Sequence, residues 1–600
     1  MRLHTLHISG FKRLHDVKVE FGSATFLIGP NNAGKSSVLK AIDWLLSDRR
    51  KMDYHAYCSD IDEETGDNRL ICRTIVLEAE FRDVPLAASG WKGFKGRIFN
   101  YDPAESGETG KSIFYRKTYP FGENAQVEIK SLTRTLKAQY ADAVRGAQFI
   151  EAGADPDEVG ELFNDLAKKI SAGDRDKLEL IDDLWDLSDE QEWISNPGGI
   201  GGVVLNKLPS VLIIPAEAAA HEIDQKTGVL HKMLNELFKD VRETSENYKA
   251  AQDCLSKLAK ELDPADAGSE FGKMMQELNS VLGGVFPESR IYASADLSSP
   301  DSLSPSFSIE MSSNVRTAIS NQGTGMVRAA VFGLLRFRQQ WVKKKAGNHD
   351  RGLIIGFEEP EIYLHPSAAN QMRDLIYELS DENSQIVATT HSPYLIDLSR
   401  KPKQVLNRFF YEKDHSVSFP LSVSEEFQRL QGNDKDQVKM LVRLDDHVSR
   451  IFFTRRVVVV EGDTEEVILK EAIRRMPHSM RVRVLSGSEI VKARGKASII
   501  GLVKYLSALK VDFIVIHDRD KGVAGAEKFN QPILDGVGDL TKVIKFEECI
   551  EDFLGYAPPS SEKPFTAYKY TQTWAEGWDG VPEKLKKLIG FIYDPLIPKA

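Results

Sequence analysis

The stretch Gly29-Pro30-Asn31-Asn32-Ala33-Gly34-Lys35-Ser36 constrains this 600-residue chain more than any other. It fits Gly-x-x-x-x-Gly-Lys-Ser/Thr, and its setting fits too. An apolar strand is predicted at Thr25–Ile28. An amphipathic helix follows, with Val38, Leu39, Ile42, Leu45 and Leu46 on one face. In such a strand–loop–helix, backbone N–H groups at the helix N-terminus cradle phosphates. The residues expected against a nucleotide are Asn31, Asn32, Ala33, Gly34, Lys35, Ser36 and Ser37. Lys35 would pair with β/γ oxygens, and the Ser36 hydroxyl would bind Mg²⁺.

The matching half of a nucleotide site stands far downstream. The segment GLIIGFEEPEIYLHP is an apolar strand ending in Glu358 and Glu359. The first acid is expected near Mg²⁺ as a metal ligand, the second as the group that polarises the attacking water. The segment QIVATTHSP is a second buried strand, ending at His391, where a γ-phosphate would be sensed. Each residue alone fits an ordinary strand end; their order after the phosphate loop gives them a joint role.

Late in the chain, RRVVVVEGDTEEVILKEAI places several acids where a β-branched run ends and a helix begins. Asp463 and Glu466 have the spacing of a capping box, which explains them without chemistry. Glu461 and Glu465 are left over, at the carboxyl edge of a sheet where ligands of open α/β folds bind. The strand KVDFIVIHDRDKG ends in Asp518-Arg519-Asp520, and alternate residues of an extended chain share a face. In RVRVLSGSEI, Gly487 is expected to close a strand. The segment VIKFEECIEDFLGY ends another with Glu547, Glu548 and Glu551. Carboxylates converging this way suit Mg²⁺ or Mn²⁺. Two such ions about 4 Å apart can activate a water and stabilise the leaving oxygen of a phosphodiester.

The regions between these motifs divide the chain. Residues 1–150 carry the phosphate loop among short strands (Leu3–Ile8, Thr74–Phe81, Ser112–Lys117 and Gln126–Ile129). Residues 151–285 read as mainly helical, interrupted by the strand-like Ser210–Ala216. There Leu230, Met233, Leu234, Leu237, Phe238 and Val241 form one apolar face, for core packing or for a second protomer. Residues 286–400 carry the second half of the nucleotide site. Residues 401–453 form a linker, polar and irregular from about 398 to 436, with a helix at Gln437 to Phe453. Residues 454–600 alternate strands (Val457–Val460, Val482–Leu485, Asp512–His517, Val543–Phe546) with helices such as Ser498–Leu509. That alternation predicts a small, mainly parallel sheet.

Composition narrows the classes. A net charge of −11 exerts no global pull toward nucleic acid, so DNA binding must come from local basic patches or metals. The cysteines (Cys58, Cys72, Cys254, Cys549) lack CxxC spacing, which argues against zinc sites and disulfides. No run approaches the ~18 apolar residues of a membrane span, and no signal peptide opens the chain. A cytoplasmic protein without a membrane partner is expected.

The turn Gly323-Thr324-Gly325, opening the helix MVRAAVFGLL, resembles the signature motif that caps ATP on the opposite protomer in ABC-type ATPases. It departs from the usual LSGGQ. Glu358 stands where most such ATPases have Asp, so slow hydrolysis is expected. The wide separation of the two nucleotide motifs resembles an SMC or ABC-type head. The order Glu461-Gly-x-x-Glu465, Gly, Asp518-x-Asp520 resembles a Toprim domain. Together they resemble the overcoming-lysogenization-defect (OLD) family of ATP-dependent endonucleases, a group that includes the Gabija nuclease subunit. The resemblance implies an α/β fold: an ABC/SMC-like ATPase head with a helical dimerisation insertion, then a C-terminal Toprim domain. It implies that Glu461, Glu465, Asp518 and Asp520 hold two divalent ions, that Glu551 is a further catalytic acid, and that Lys563, with Lys569 as second choice, stabilises charge at the cut phosphate. A third ion would accompany ATP. It further implies DNA as substrate, a homodimer or higher homo-oligomer, and a role in bacterial defence against phage. Some members work with a defence partner, such as a helicase subunit or a retron reverse transcriptase with its nucleic acid. Two other classes stay open. One is an SMC-like DNA-binding ATPase in repair that does not cut. The other is topoisomerase or primase chemistry, which would need a nucleophilic tyrosine in a separate DNA-cleaving domain.

Overall fold

A computed structural model describes most of residues 1–216 and 352–600, with short gaps such as 102–109 and 196–203, and between them chiefly 245–261. The chain divides into two compact units, Met1–Ala216 with His349–Ala600, and Glu217–Asn348. In the second unit the helix Glu246–Glu261 and an antiparallel pair, Glu310–Ser312 with Arg316–Ala318, are described. The turn Gly323/Gly325 and, apart from Leu234, the apolar face at 230–241 lie outside the described residues.

In the first unit the elements run β1 (Arg2–Phe11), β2 (Leu14–Glu20), β3 (Ala24–Ile28), α1 (Lys35–Leu45), β4 (Thr74–Arg82), β5 (Lys111–Pro120), β6 (Gln126–Leu136), β7 (Trp185–Ser195), β8 (Ser210–Ile214), β9 (Leu353–Glu358), α2 (Pro366–Leu379), β10 (Ser384–Thr389), β11 (Gln404–Glu412) and β12 (His415–Leu421). Strands β7-β6-β5-β4-β1-β2 form an antiparallel sheet, with the short strand Phe99–Asn100 beside β5. Strands β8-β9-β10-β3-β11-β12 form a second sheet, parallel except for the β11–β12 hairpin. Both β3 and β10 are buried along their whole length, as a sheet covered on two faces requires.

Two buried amides lock the sheets together. Gln385 of β10 accepts from Leu3 N at 2.7 Å and donates to Leu3 O at 2.8 Å and Gly22 O at 3.1 Å. Asn407 of β11 accepts from Glu20 N and donates to Glu20 O, imitating a strand residue. Hydrogen bonds of this kind offset the desolvation of the buried amides and fix which residues face each other.

Two regions within residues 1–436 differ from the sequence reading. Between residues 151 and 216, expected to be mainly helical, β7 runs eleven residues along the antiparallel sheet. Its mixed acids and apolar residues mask any clean period, and pairing with β6 decides its form. Residues 398–436, expected to be irregular, contain β11 and β12, and β11 pairs in parallel with β3. The polar Gln404, Asn407 and Arg408 of β11 turn into side-chain hydrogen bonds, so the strand lacks an apolar alternation.

The C-terminal part follows with α3 (Gly432–Leu444), β13 (Arg456–Val460), α4 (Asp463–Arg475), α5 (His478–Gly487), β14 (Ser488–Lys492), α6 (Lys496–Ala508), β15 (Phe513–Asp518), α7 (Asn530–Val537), β16 (Val543–Phe546), α8 (Ile550–Leu554), α9 (Lys563–Gln572) and α10 (Glu583–Ile592). Strands β14-β13-β15-β16 form a four-stranded, wholly parallel sheet. Its core joins Val458 and Val460 to Ile468, Leu469, Ile514, Ile516, Leu585 and Ile589. Each such buried side chain contributes roughly 1.5–3 kcal/mol. The predicted strand Val482–Leu485 is instead the end of α5, and the strand beside β13 begins at Ser488. Alternating Arg and Val has β propensity, but there Val482 and Leu485 lie exposed while Val484 packs inward, a helical spacing that tertiary contacts select.

Candidate functional site

Parallel pairing puts three strand ends together. Glu358 of β9 lies across from Thr389 of β10, and Thr389 across from Leu27 of β3. The phosphate loop after β3, His391 after β10 and the acids after β9 therefore share one edge. The loop needs glycine where it turns. Gly34 has φ +90°, and a Cβ on Gly29 would come within 2.4 Å of Phe409 O. Asn31, Asn32 and Ser36 are exposed, and Ser37 is half-buried beside them. Ala33 is fully buried and anchors the loop. Lys35 is buried, and its Nζ donates to Gly29 O at 3.0 Å and Pro30 O at 2.8 Å. Burial lowers its ammonium to about 8, partly offset by Glu359 and Glu361.

Glu359 holds a left-handed backbone, φ +42°, a conformation costly for a residue with a side chain and concentrated at functional sites. Its Oε1 lies 3.7 Å from His391 Nε2. Burial, then Lys35, lower the His391 imidazole, with Glu359 opposing. The sequence reading missed Glu361. Its Oε1 accepts from Thr390 Oγ1 at 2.6 Å, His391 N at 3.1 Å and Ser392 N at 3.2 Å, so it fixes the turn that carries His391. The only sequence signal was a third acid after β9. Lys12, in the tight turn between β1 and β2, acts electrostatically on Glu358 and was also missed.

The second cluster lies at the carboxyl edge of the C-terminal sheet. Glu461 follows β13, and its Oε2 accepts from Asp518 N at 3.3 Å. Glu465 lies buried in the first turn of α4, and its Oε2 accepts from Gly462 N at 3.0 Å. This corrects the capping assignment: Glu465, not Asp463 with Glu466, reaches back to the N-cap residue Gly462. Asp463 and Glu466 both pair with Lys492 instead, at 2.7 and 2.9 Å. Asp520 does not continue the strand from Asp518. It turns left-handed at φ +53°, so a turn, not strand alternation, returns it toward Asp518. Glu551 is buried on α8, while Glu547 pairs with Arg519 at the surface at 2.6 Å. Lys563 opens α9 and acts electrostatically on Glu465, whereas Lys569 is exposed over the Phe565 ring. Lys496, at the start of α6, was not foreseen. It is buried, and its Nζ lies 2.5 Å from Asp520 Oδ2.

The electrostatics show a site short of positive charge. Burial pushes Glu461 and Glu465 up. Burial first, then Glu465, Glu461, Asp520 and Glu551, push the Asp518 carboxyl to about 8. Asp518 Oδ1 and Glu551 Oε1 are buried without hydrogen-bond partners. Oxygen donors of this sort, left over in a buried acidic edge, fit a divalent cation. Among the described residues no three His, Cys, Asp or Glu side chains already stand as a metal-holding group.

An ATP-binding edge and an acidic parallel-sheet edge on one chain define an ATPase coupled to a Toprim domain. Residues 1–396 match the AAA ATPase domain family, and residues 452–520 the Toprim domain of overcoming-lysogenization-defect-like proteins. The chain belongs to that ATPase family and carries the OLD-type Toprim domain. It is similar to the Old nuclease of Escherichia phage P2, 23% identical over 87% of this chain and 77% of that protein. It is also similar to the OLD nuclease of Thermus scotoductus, 24% identical over 95% of each. Endonuclease GajA of Bacillus cereus is 26% identical over 20% of this chain and 19% of that protein. An SMC head bound to the C-terminal winged-helix domain of ScpA overlays with a TM-score of 0.35 at 12% identity, covering 71% of this chain and all of that one, a likeness too slight to argue from. No helix among the described residues is long and apolar enough to cross a membrane.

Proposed function

We propose that this protein is a divalent-metal-dependent DNA endonuclease whose cutting is regulated by ATP at the head, acting in bacterial defence against phage. The observation that carries the nuclease reading is the acidic edge formed by Glu461, Glu465, Asp518, Asp520 and Glu551, with Glu465 and Glu551 buried, the others half-buried, and Lys496 paired with Asp520. It agrees with the nuclease names of the relatives. Magnesium or manganese, bound at this edge, would supply a water activated for attack and a Lewis acid for the leaving oxygen. The chain's own residues do the rest. Glu461, Glu465, Asp518 and Asp520 offer the oxygens; Glu551 stands behind them. Lys496 holds Asp520 in place. Lys563, on the rim, is placed to pair with the scissile phosphate.

At the head, Lys35 and the N–H groups of the loop bind phosphates, and Ser36 and Glu358 would hold the accompanying Mg²⁺. Glu359 orients the water, with His391 beside it. A homodimer through head and insertion, with Gly323 and Gly325 capping the partner's ATP, completes the proposal, as does a cytoplasmic location. Supercoiled plasmid with Mg²⁺ or Mn²⁺ should be nicked or linearised by the wild type and left intact by Asp520→Ala. Unchanged cutting by that variant would overturn the assignment.

The ATPase family match over residues 1–396 also suits a second reading, an SMC-like DNA-binding ATPase in repair that does not cut. DNA-stimulated ATP hydrolysis without cleavage of any DNA form would establish it.

A further inference from the structure

A surface helix ordinarily turns polar side chains outward. The outward face of α9 sets two aromatic rings among its polar side chains. Phe565, Tyr568, Lys569 and Gln572 recur at i, i+3, i+4 and i+7, and all are exposed. Phe565 is 51% and Tyr568 49% exposed. The opposite face is firmly seated. Ala567 and Thr571 are buried, and the Tyr570 ring stacks on Tyr556 at 4.3 Å. The two exposed rings are therefore not loose core residues.

Cations flank them, with Glu471 and the N-cap Glu562 the nearby acids. Lys569 Nζ lies 4.5 Å over the Phe565 ring. Arg474 of α4, already paired with Glu471 at 2.7 Å, also stands near Tyr568. Lys563, at the start of the same helix, acts on Glu465 of the acidic edge. The helix, KPFTAYKYTQ, contains no acid. In a chain of net charge −11, this is a local basic and aromatic strip that leads to the proposed cutting site.

We propose that this strip is a stacking platform for unpaired bases of a single DNA strand entering the acidic edge. Phe565 and Tyr568 take the faces of bases, while Lys563, Lys569 and Arg474 hold the phosphates between them. Aromatic stacking with flanking cations is how single strands are bound without regard to sequence. A duplex hides its base faces, so only a single strand, gap or frayed end uses both rings. Two rings are also far from the broad apolar patch of a stable dimer. The proposal rests on the nuclease reading above and names the substrate form that reading leaves open.

The test is fluorescence anisotropy with the full chain in EDTA, where cutting is blocked, using a labelled single-stranded oligonucleotide and its blunt duplex. For Phe565→Ala/Tyr568→Ala, single-strand affinity should fall on the order of tenfold or more, duplex affinity by less than about twofold. The melting temperature should not move, and Phe565→Trp/Tyr568→Trp should retain single-strand affinity. Unaltered single-strand affinity, or an equal loss on duplex, overturns the proposal. So does a lower oligomeric mass in the alanine variant, which would make the rings a protomer contact. A wild type that neither binds nor cuts DNA overturns the nuclease reading itself, before any variant is compared.

Discussion

At Asp518, burial and four neighbouring carboxylates act in the same direction and push its carboxyl from 3.8 to about 8. The folded, metal-free protein then keeps a proton that the unfolded chain releases above about pH 4. Because the folded state binds more protons, this group makes stability fall as pH rises from about 4 to about 8. Glu461 and Glu465, also raised by burial, add to the same slope. Calorimetry in EDTA between pH 5.5 and pH 8 should show a falling melting temperature, and Mg²⁺ should flatten the fall by binding the ionised carboxylates. A flat profile in EDTA would contradict the burial argument. Lys496→Met removes the cation paired with Asp520. It should lower the melting temperature by a few degrees in EDTA and by less in Mg²⁺. Glu361→Ala frees the turn bearing His391. ATP turnover should fall on the order of tenfold or more, with nucleotide affinity little changed. The acids were legible in the sequence because they cluster at or just beyond the ends of apolar runs. Lys496 and Glu361 were not, because their roles depend on which helix start and which turn fold back onto those ends.

Among the elements, α1 shows how the head is braced. Lys117 of β5 is buried, its Nζ donating to Trp44 O at 3.1 Å and Ser47 O at 2.6 Å at the helix's C-terminal end, where Tyr119 also donates to Trp44 O at 2.9 Å. Burial lowers its ammonium to about 8. Lys117→Met leaves buried carbonyls without this donor and should cost roughly 1–3 kcal/mol, read by denaturant unfolding. The antiparallel sheet thus stabilises the helix whose other end carries the phosphate-loop motif. Strand β3, α1 and β16 were legible from apolar period and flanking turns. β11, β12 and the α5–β14 boundary were not. Their form is set by pairing with β3 and β13, which single-sequence periodicity does not contain.

On the scale of the molecule, the first compact unit holds both sites: the phosphate loop with Glu358, Glu359 and His391, and the acidic edge with Lys496 and Lys563. The two-part plan was legible because each part carries a motif with fixed order. How nucleotide at one edge acts on the other was not, since nothing in either motif encodes the sign of that coupling. The central claim is that one chain cuts DNA at the acidic edge under control of the head. The most direct measurement is the plasmid-cutting rate with and without ATP for wild type, Lys35→Ala and Asp520→Ala. The account expects an ATP-dependent rate for wild type, a rate indifferent to ATP for Lys35→Ala, and no cutting for Asp520→Ala. Wild-type cutting rates in Asp520→Ala, or an intact ATP response in Lys35→Ala, would contradict it.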